Sequence, residues 1–348
     1  MIEPAASDPE PHSDESWWAI VGPVARAIPS GVIATPHDRT AVLADAFVLG
    51  PVVLRPGGTL LREFQRSEPL TLEGITTVES YPILVEGRWS QEAAMHRQRD
   101  AANVLHRVGC LLSLAWGELW QVRTSATSTQ LLPPRIPNSW EDPGLHEGFP
   151  GAFVDDDLPT HARELPRWTA DTWAKLDSDN VVETALTFWH QGVHLSAEFP
   201  SFALVAFAAS VEALSGCDAF RERVDIAADA CPECGAIPRA SARFWGTLQL
   251  AASDDELARL KREWNVYSRR SDVAHGARTH GFETVYGSIF LFDFQAASTY
   301  PSVDERDPVQ FFVLHALPRL TALTSRLLRE ALGGPPHIAP TPSTARDG

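Results

Sequence analysis

Phe202-Ala203-Leu204-Val205-Ala206-Phe207-Ala208-Ala209-Ser210-Val211-Glu212-Ala213-Leu214 contains a single ionisable residue, Glu212. A segment apolar on all sides belongs at the centre of a helical core, surrounded by other helices. The neighbouring sequence supplies them. Residues 180–198 are amphipathic, with Leu186, Trp189, Val193 and Ala197 on one face, and residues 241–252 form a further helical stretch. Ser253-Asp254-Asp255-Glu256 is a capping-box pattern that opens a helix with the face Leu257, Leu260, Trp264, Tyr267. Asp307-Pro308 provides an N-cap and first-turn proline for a helix over 309–332, closed by Gly333-Gly334-Pro335 and expected to kink at Pro318. Five helices over 168–333 predict an up-and-down helical bundle.

The first half reads differently. Short β-like runs at 17–21, 31–34, 46–49, 70–77 and 81–87 are punctuated by Gly and Pro, a helix is expected over 91–116, and a last strand over 118–124. Residues 17–131 therefore form a smaller α+β domain, and the fold class is mainly α. Residues 1–16 and 334–348 read as disordered tails. Between the domains, 132–167 carries prolines at 133, 134, 137, 143, 150, 159 and 166, a spacing expected to prevent regular structure and to mark a linker.

The segment with most chemical content is Tyr267-Ser268-Arg269-Arg270-Ser271-Asp272-Val273-Ala274-His275-Gly276. Metal-independent RNA cleavage needs proton transfer from the ribose 2′-OH and to the leaving 5′-oxygen, together with a cation for the crowded phosphorane. His275 suits the proton transfer and Arg270 the phosphate, through two parallel hydrogen bonds. On one continuous helix five residues separate the two side chains by about 140°. They would share a cleft only if two protomers built it together, or if the helix broke near Arg270. Arg269 competes for the arginine role. Glu212 must be paired or protonated, and an arginine or hydroxyl near the motif is the expected partner, in a structural or catalytic capacity.

This segment resembles the Arg-x4-6-His signature of the HEPN superfamily, and in particular the Apea-like HEPN group: tyrosine, two residues, Arg-Ser, three residues, His-Gly. Tyr267, Arg270-Ser271 and His275-Gly276 fit that pattern, and 202–214 resembles the group's apolar helix ending in glutamate and leucine. The resemblance spans about 168–333. It implies a homodimeric, metal-independent endoribonuclease in phage defence by abortive infection or in a toxin-like stress system. Arg270, His275 and Ser271 would be catalytic, with Tyr267, Glu212 and Arg269 in support. A phage-derived or protein trigger would act through the first half. Some HEPN domains keep the fold without activity, so a dimerisation or partner-binding module is the alternative.

Charge bears on both readings. The chain carries a net −16, which opposes nonspecific nucleic-acid binding, and its only lysines are Lys175 and Lys261. Yet residues 259–280 hold six cations against two acids. Such a basic island, with Arg262, Arg269 and Arg278 as the RNA-binding candidates, would direct RNA to one place.

Four cysteines in 348 residues make no disulfide framework. With no visible leader and no apolar run near the ~20 residues that span a bilayer, a cytoplasmic protein without membrane contact is expected. Cys231-Pro232-Glu233-Cys234-Gly235 is half a zinc knuckle, and Cys217 offers a third thiolate for a structural zinc; reduced, metal-free cysteines are the alternative. No cofactor is required for cleavage. Cys110 reads as a packed core thiol. His190 and His194 have i, i+4 spacing, but Gln191 stands where a zincin would place its glutamate, which excludes that hydrolase chemistry.

Overall fold

The computed structural model describes residues 16–23, 26–28, 40–56, 75–77, 83–90, 94–117, 119–128, 160–196, 199–224, 239–276 and 316–335. An antiparallel sheet in the first half precedes a mostly helical second part. The strands of the first half run β1 (Ser16–Pro23), β2 (Arg26–Ile28), β3 (Thr40–Leu43), β4 (Phe47–Leu49), β5 (Val52–Pro56), β6 (Ile75–Thr77) and β7 (Ile83–Arg88), of which β2 and β6 form a separate pair. After helix α1 (Ala94–Trp116) come β8 (Trp120–Val122), β9 (Thr127–Ser128) and β10 (Thr160–Arg163). The main sheet has the order β4-β5-β7-β1-β8, with β9 also paired to β1. Trp17 pairs with Gly87 and Trp18 with Glu86 across the β1–β7 ladder.

β1 is buried on both faces. Trp17, Ala19 and Val21 join the main core, whereas Trp18 and Ile20 meet Leu84 in a small separate cluster. This alternation follows from the period-2 side-chain direction of a strand. The proline-rich 132–167 segment departs from expectation at its end. Its residues 160–163 form β10, which pairs in parallel with β3 from Thr160↔Thr40 to Arg163↔Leu43. Residues 160–163 include no proline and Pro166 lies beyond the ladder, so the four backbone N–H groups of β10 can pair. The expected run at 31–34 lies outside the described residues, as do 1–15 and 336–348 of the expected tails, whereas Ser16 opens β1.

The second part follows a 3-10 turn at Arg167–Asp171 with α2 (Thr172–Ser178), α3 (Asn180–Leu195), α4 (Pro200–Leu214), α5 (Arg239–Gln249), α6 (Asp254–Ala258), α7 (Val266–Gly276) and α8 (Leu317–Ala331). Asp179 caps α3, its carboxylate accepting from the Val181 and Val182 N–H groups. Helix α4 is the hub and packs against α3, α5, α7 and α8. Ala203, Leu204, Phe207, Ala208, Val211 and Leu214 are all fully buried. Pro318 falls in the first turn of α8; residues 309–315, over which the expected helix begins, lie outside the described residues.

The expected N-terminal and helical domains share one core. Leu105, Leu112 and Trp120 belong to the same buried cluster as Leu186, Phe207 and Leu327. Trp173 lies over Gly50 in the tight β4–β5 connection; Gly50 has φ +58, and a Cβ there would stand 2.2 Å from the indole.

Helices α3 and α4 approach closely at Gly192, where a Cβ would lie 2.7 Å from the Phe207 ring. Gly192→Ala should therefore destabilise the fold by about 1–3 kcal/mol through overpacking. Urea unfolding would measure the loss, and Phe207→Leu in the same chain should recover part of it.

Candidate functional site

The capping box at Ser253 is present: Glu256 N–H donates to the Ser253 hydroxyl, and Ser253 N–H donates to the Glu256 carboxylate at 2.8 Å. The helix it opens does not run straight to His275. After α6 the chain makes a π turn over Arg259–Glu263, and Asn265 takes φ 47 before α7 begins. Asn tolerates the left-handed region better than other side chains. The junction is held by Arg269, whose Nε donates to the Trp264 carbonyl at 3.0 Å. The break thus precedes Arg270 by five residues. Arg270 and His275 remain on one helix, about 140° apart by helical geometry.

Arg270 faces α4. Its Nη2 donates to Glu212 Oε2 at 3.2 Å, and both side chains are about four-fifths buried. Tyr267 completes the group: its hydroxyl hydrogen-bonds the Glu212 carboxylate, and its ring lies 5.5 Å from the Arg270 guanidinium. The ring is seated against Phe244 and Trp245 of α5, with centroids 5.2 and 6.4 Å away. Burial pushes the Glu212 carboxyl above the ordinary carboxylate range, against the pull of Arg270, Tyr267 and Arg243. Burial also raises the Tyr267 phenol, with the Glu212 charge adding to it. Two polar atoms of the group, Glu212 Oε1 and Arg270 Nε, are buried without a hydrogen-bond partner among the described residues. Leaving such atoms unpaired is costly.

The other predicted residues are dispersed. His275 is exposed at the C-terminal end of α7, away from the Glu212 group, and Ser271 is half-buried. Arg269 supports the helix break, and burial lowers its guanidinium pKa. Arg259, Lys261 and Arg262 are exposed on the π turn, with the Lys261 ammonium 5.0 Å from the Trp245 ring. Arg278, Cys231 and Cys234 lie outside the described residues. Cys217 is a free thiol fully buried in the core.

A cluster that the sequence reading did not assemble joins α1 to α3. His106, Cys110 and His190 bring one ligand atom each within 4.8 Å of the others, and this buried group could hold a metal such as zinc. Its trace in the sequence is the His106-x3-Cys110 spacing, which puts both side chains on one face of α1. His190 shares i, i+4 spacing with His194, but His194 instead meets Gln121, with Nδ1 2.7 Å from Nε2. Burial holds the His106 imidazole below its ordinary pKa, against the Glu183 carboxylate. Burial pushes His190 down to about 4, so both rings are neutral at pH 7. Burial drives the Cys110 thiol far up. No described helix is long and apolar enough to cross a membrane.

No family model, curated protein or solved structure matches the chain. The HEPN resemblance accordingly rests on the residues quoted for it.

Removing Arg270 would leave a buried carboxylate with less compensation. Arg270→Ala should cost about 2 kcal/mol near neutral pH. Because Glu212 titrates above its unfolded value, acid neutralises it early in the folded chain, and the cost should shrink as the pH falls through that raised pKa. Denaturant melts of both proteins at pH 7.5 and at acid pH would check the sign. A penalty that grows toward low pH would contradict this account of the pair.

Proposed function

We propose that the chain is a metal-independent endoribonuclease of HEPN type, acting as a homodimer. The observation that carries the reading is the held arginine. Arg270, the motif residue matched to the HEPN arginine, is positioned by Glu212 and Tyr267, and its Nε remains unpaired among the described residues.

His275 projects into solvent from the same helix. One chain alone does not bring the two together, so the proposed cleft lies between two copies, each α7 contributing. In that cleft the 2′-OH would lose its proton as the 2′-oxygen bonds to phosphorus. The bond from phosphorus to the 5′-oxygen would break, and the leaving oxygen would take a proton. The products are a 2′,3′-cyclic phosphate and a 5′-OH. His275 transfers a proton, Arg270 stabilises the pentacoordinate phosphorane, and Ser271 orients the phosphate or the guanidinium. The exposed cations Arg259, Lys261 and Arg262 would guide RNA toward α7 despite the net −16 of the whole chain. A cytoplasmic role in phage defence or a toxin-like stress system, set off by a phage-derived or protein trigger, belongs to this reading.

A second reading is a dimerisation or partner-binding module without activity. It is favoured by the same ion pair, because a guanidinium already engaged at 3.2 Å by a carboxylate is partly neutralised before any phosphate arrives.

The purified full chain, incubated with labelled RNA and EDTA, should produce cyclic-phosphate ends. His275→Ala, at an exposed position that leaves folding intact, should slow cleavage by about 100-fold or more. Equal cleavage by both proteins would sink the nuclease assignment. Absence of cleavage in both, with RNA unbound and a protein partner retained, would favour the binding module.

A further inference from the structure

Helix α1 presents His106 and Cys110 one turn apart, and α3 sets His190 against them across the seam between the sheet region and the helices. Cys110 Sγ is 3.6 Å from His106 Nε2, and the two imidazoles meet edge to face with centroids 5.6 Å apart. Zinc bonds of about 2.0–2.3 Å at tetrahedral angles place neighbouring ligand atoms roughly 3.5 Å apart. The thiol–imidazole spacing already fits, and the widest pair in the group needs to close by only about 1 Å.

His190 is the decisive ligand. Its Nε2 lies 2.9 Å from the Trp120 carbonyl oxygen. A carbonyl only accepts, so Nε2 carries the proton and Nδ1 the free lone pair. Nδ1 is buried with no hydrogen-bond partner among the described residues, and His190 as a whole is 5% exposed. A buried acceptor without a partner is uncommon in a native structure. A histidine that binds metal through one nitrogen while donating its other N–H to a carbonyl is the usual arrangement.

That carbonyl is itself anchored. Trp120 N–H donates to the Ser113 hydroxyl at 2.8 Å, and the hydroxyl donates to the Gly109 carbonyl at 2.7 Å. Position 109 also has no side chain to crowd the approach, since a Cβ there would stand 3.2 Å from the Trp120 oxygen.

We infer that His106, Cys110 and His190 form a structural binding site for a zinc-type divalent metal, which ties α1 to α3. Two imidazoles and a thiolate are a borderline-soft donor set suited to zinc. Both rings bind in the neutral form. The Cys110 S–H bond breaks as the sulfur–metal bond forms, and the proton leaves to solvent. The described residues offer no fourth His, Cys, Asp or Glu in the group, so the remaining position takes water. His106 is only half-buried, which provides a route for the ion. The site is separate from the Arg270 group.

Full-length protein, stripped by chelator and titrated with Co2+, should bind one equivalent with a thiolate-to-cobalt charge-transfer band, and Zn2+ should displace it and raise the Tm. Cys110→Ser should abolish the band, and His106→Gln, at the half-exposed position, should weaken binding about tenfold or more. Cys234→Ser should leave both unchanged. X-ray absorption at zinc in the wild-type chain should find one sulfur among nitrogen and oxygen neighbours, a readout that needs no variant to fold. No cobalt binding at micromolar concentration would overturn the site. So would zero or several sulfurs at zinc, or a band lost with Cys234 and kept without Cys110.

Discussion

Burial of one broad face of α4 is the constraint from which the rest of the helical part follows. Leu204, Phe207, Val211 and Leu214 lie along that face, and α3, α5, α7 and α8 pack against the helix, whereas Phe202 on the other side stays 52% exposed, short of the all-round burial that the composition of 202–214 predicts. The one ionisable residue it carries then becomes expensive. Taking a carboxylate out of water costs several kcal/mol unless a cation and hydrogen bonds compensate it. Glu212 therefore dictates what α7 must present, and α7 presents Arg270 and Tyr267. The candidate site is in this sense a consequence of the core. The helix that bears the motif is oriented by the ion pair, which leaves His275 facing outward.

The sheet region is bound to this core by several different interactions along α1. Arg107 bridges to Glu183 at 2.7 Å and to Asp177 at 2.5 Å, and its guanidinium lies over the Trp173 ring. Arg329 of α8 donates twice to the Leu114 carbonyl near the C-terminal end of α1. Arg163 of β10 donates to the Trp116 carbonyl. Cations thus satisfy carbonyls that the helix end leaves without intrahelical partners. The His106, Cys110 and His190 group lies one residue along α1 from Arg107, so any ion there would strengthen a seam already closed by charge and packing.

Much of the local structure was legible because its causes are local. The Ser253 capping box, the amphipathic face of α3 and the apolar character of α4 each depend on residues within a few turns of one another. The expected arginine or hydroxyl partner of Glu212 could also be argued, since a buried charge narrows the choice to few side chains. The break at Asn265 was not legible, because it depends on a π turn and on Arg269 reaching back to the Trp264 carbonyl. Strand β10 was hidden by the proline spacing of 132–167, and its ladder is made with a strand about 120 residues earlier. The metal-competent cluster was visible only in part. His106 and Cys110 are one helical turn apart, whereas His190 arrives from α3.

By itself the sequence determined the helical class of the second half, the central place of 202–214 and the residue types at the motif, because hydrophobic periodicity and capping act over short spans of chain. Only the tertiary structure decided which motif residues meet. Arg270 joins Glu212 and Tyr267, Arg269 turns back to its own helix junction, and His275 stands apart. It also decided that Cys110, read as a packed core thiol, has two imidazoles beside it. The physical reason is common to both. Pairing of buried polar groups is settled by the packing of elements far apart in sequence, and that packing follows from burying apolar area, which specifies no particular partner for each polar atom until the helices are in place.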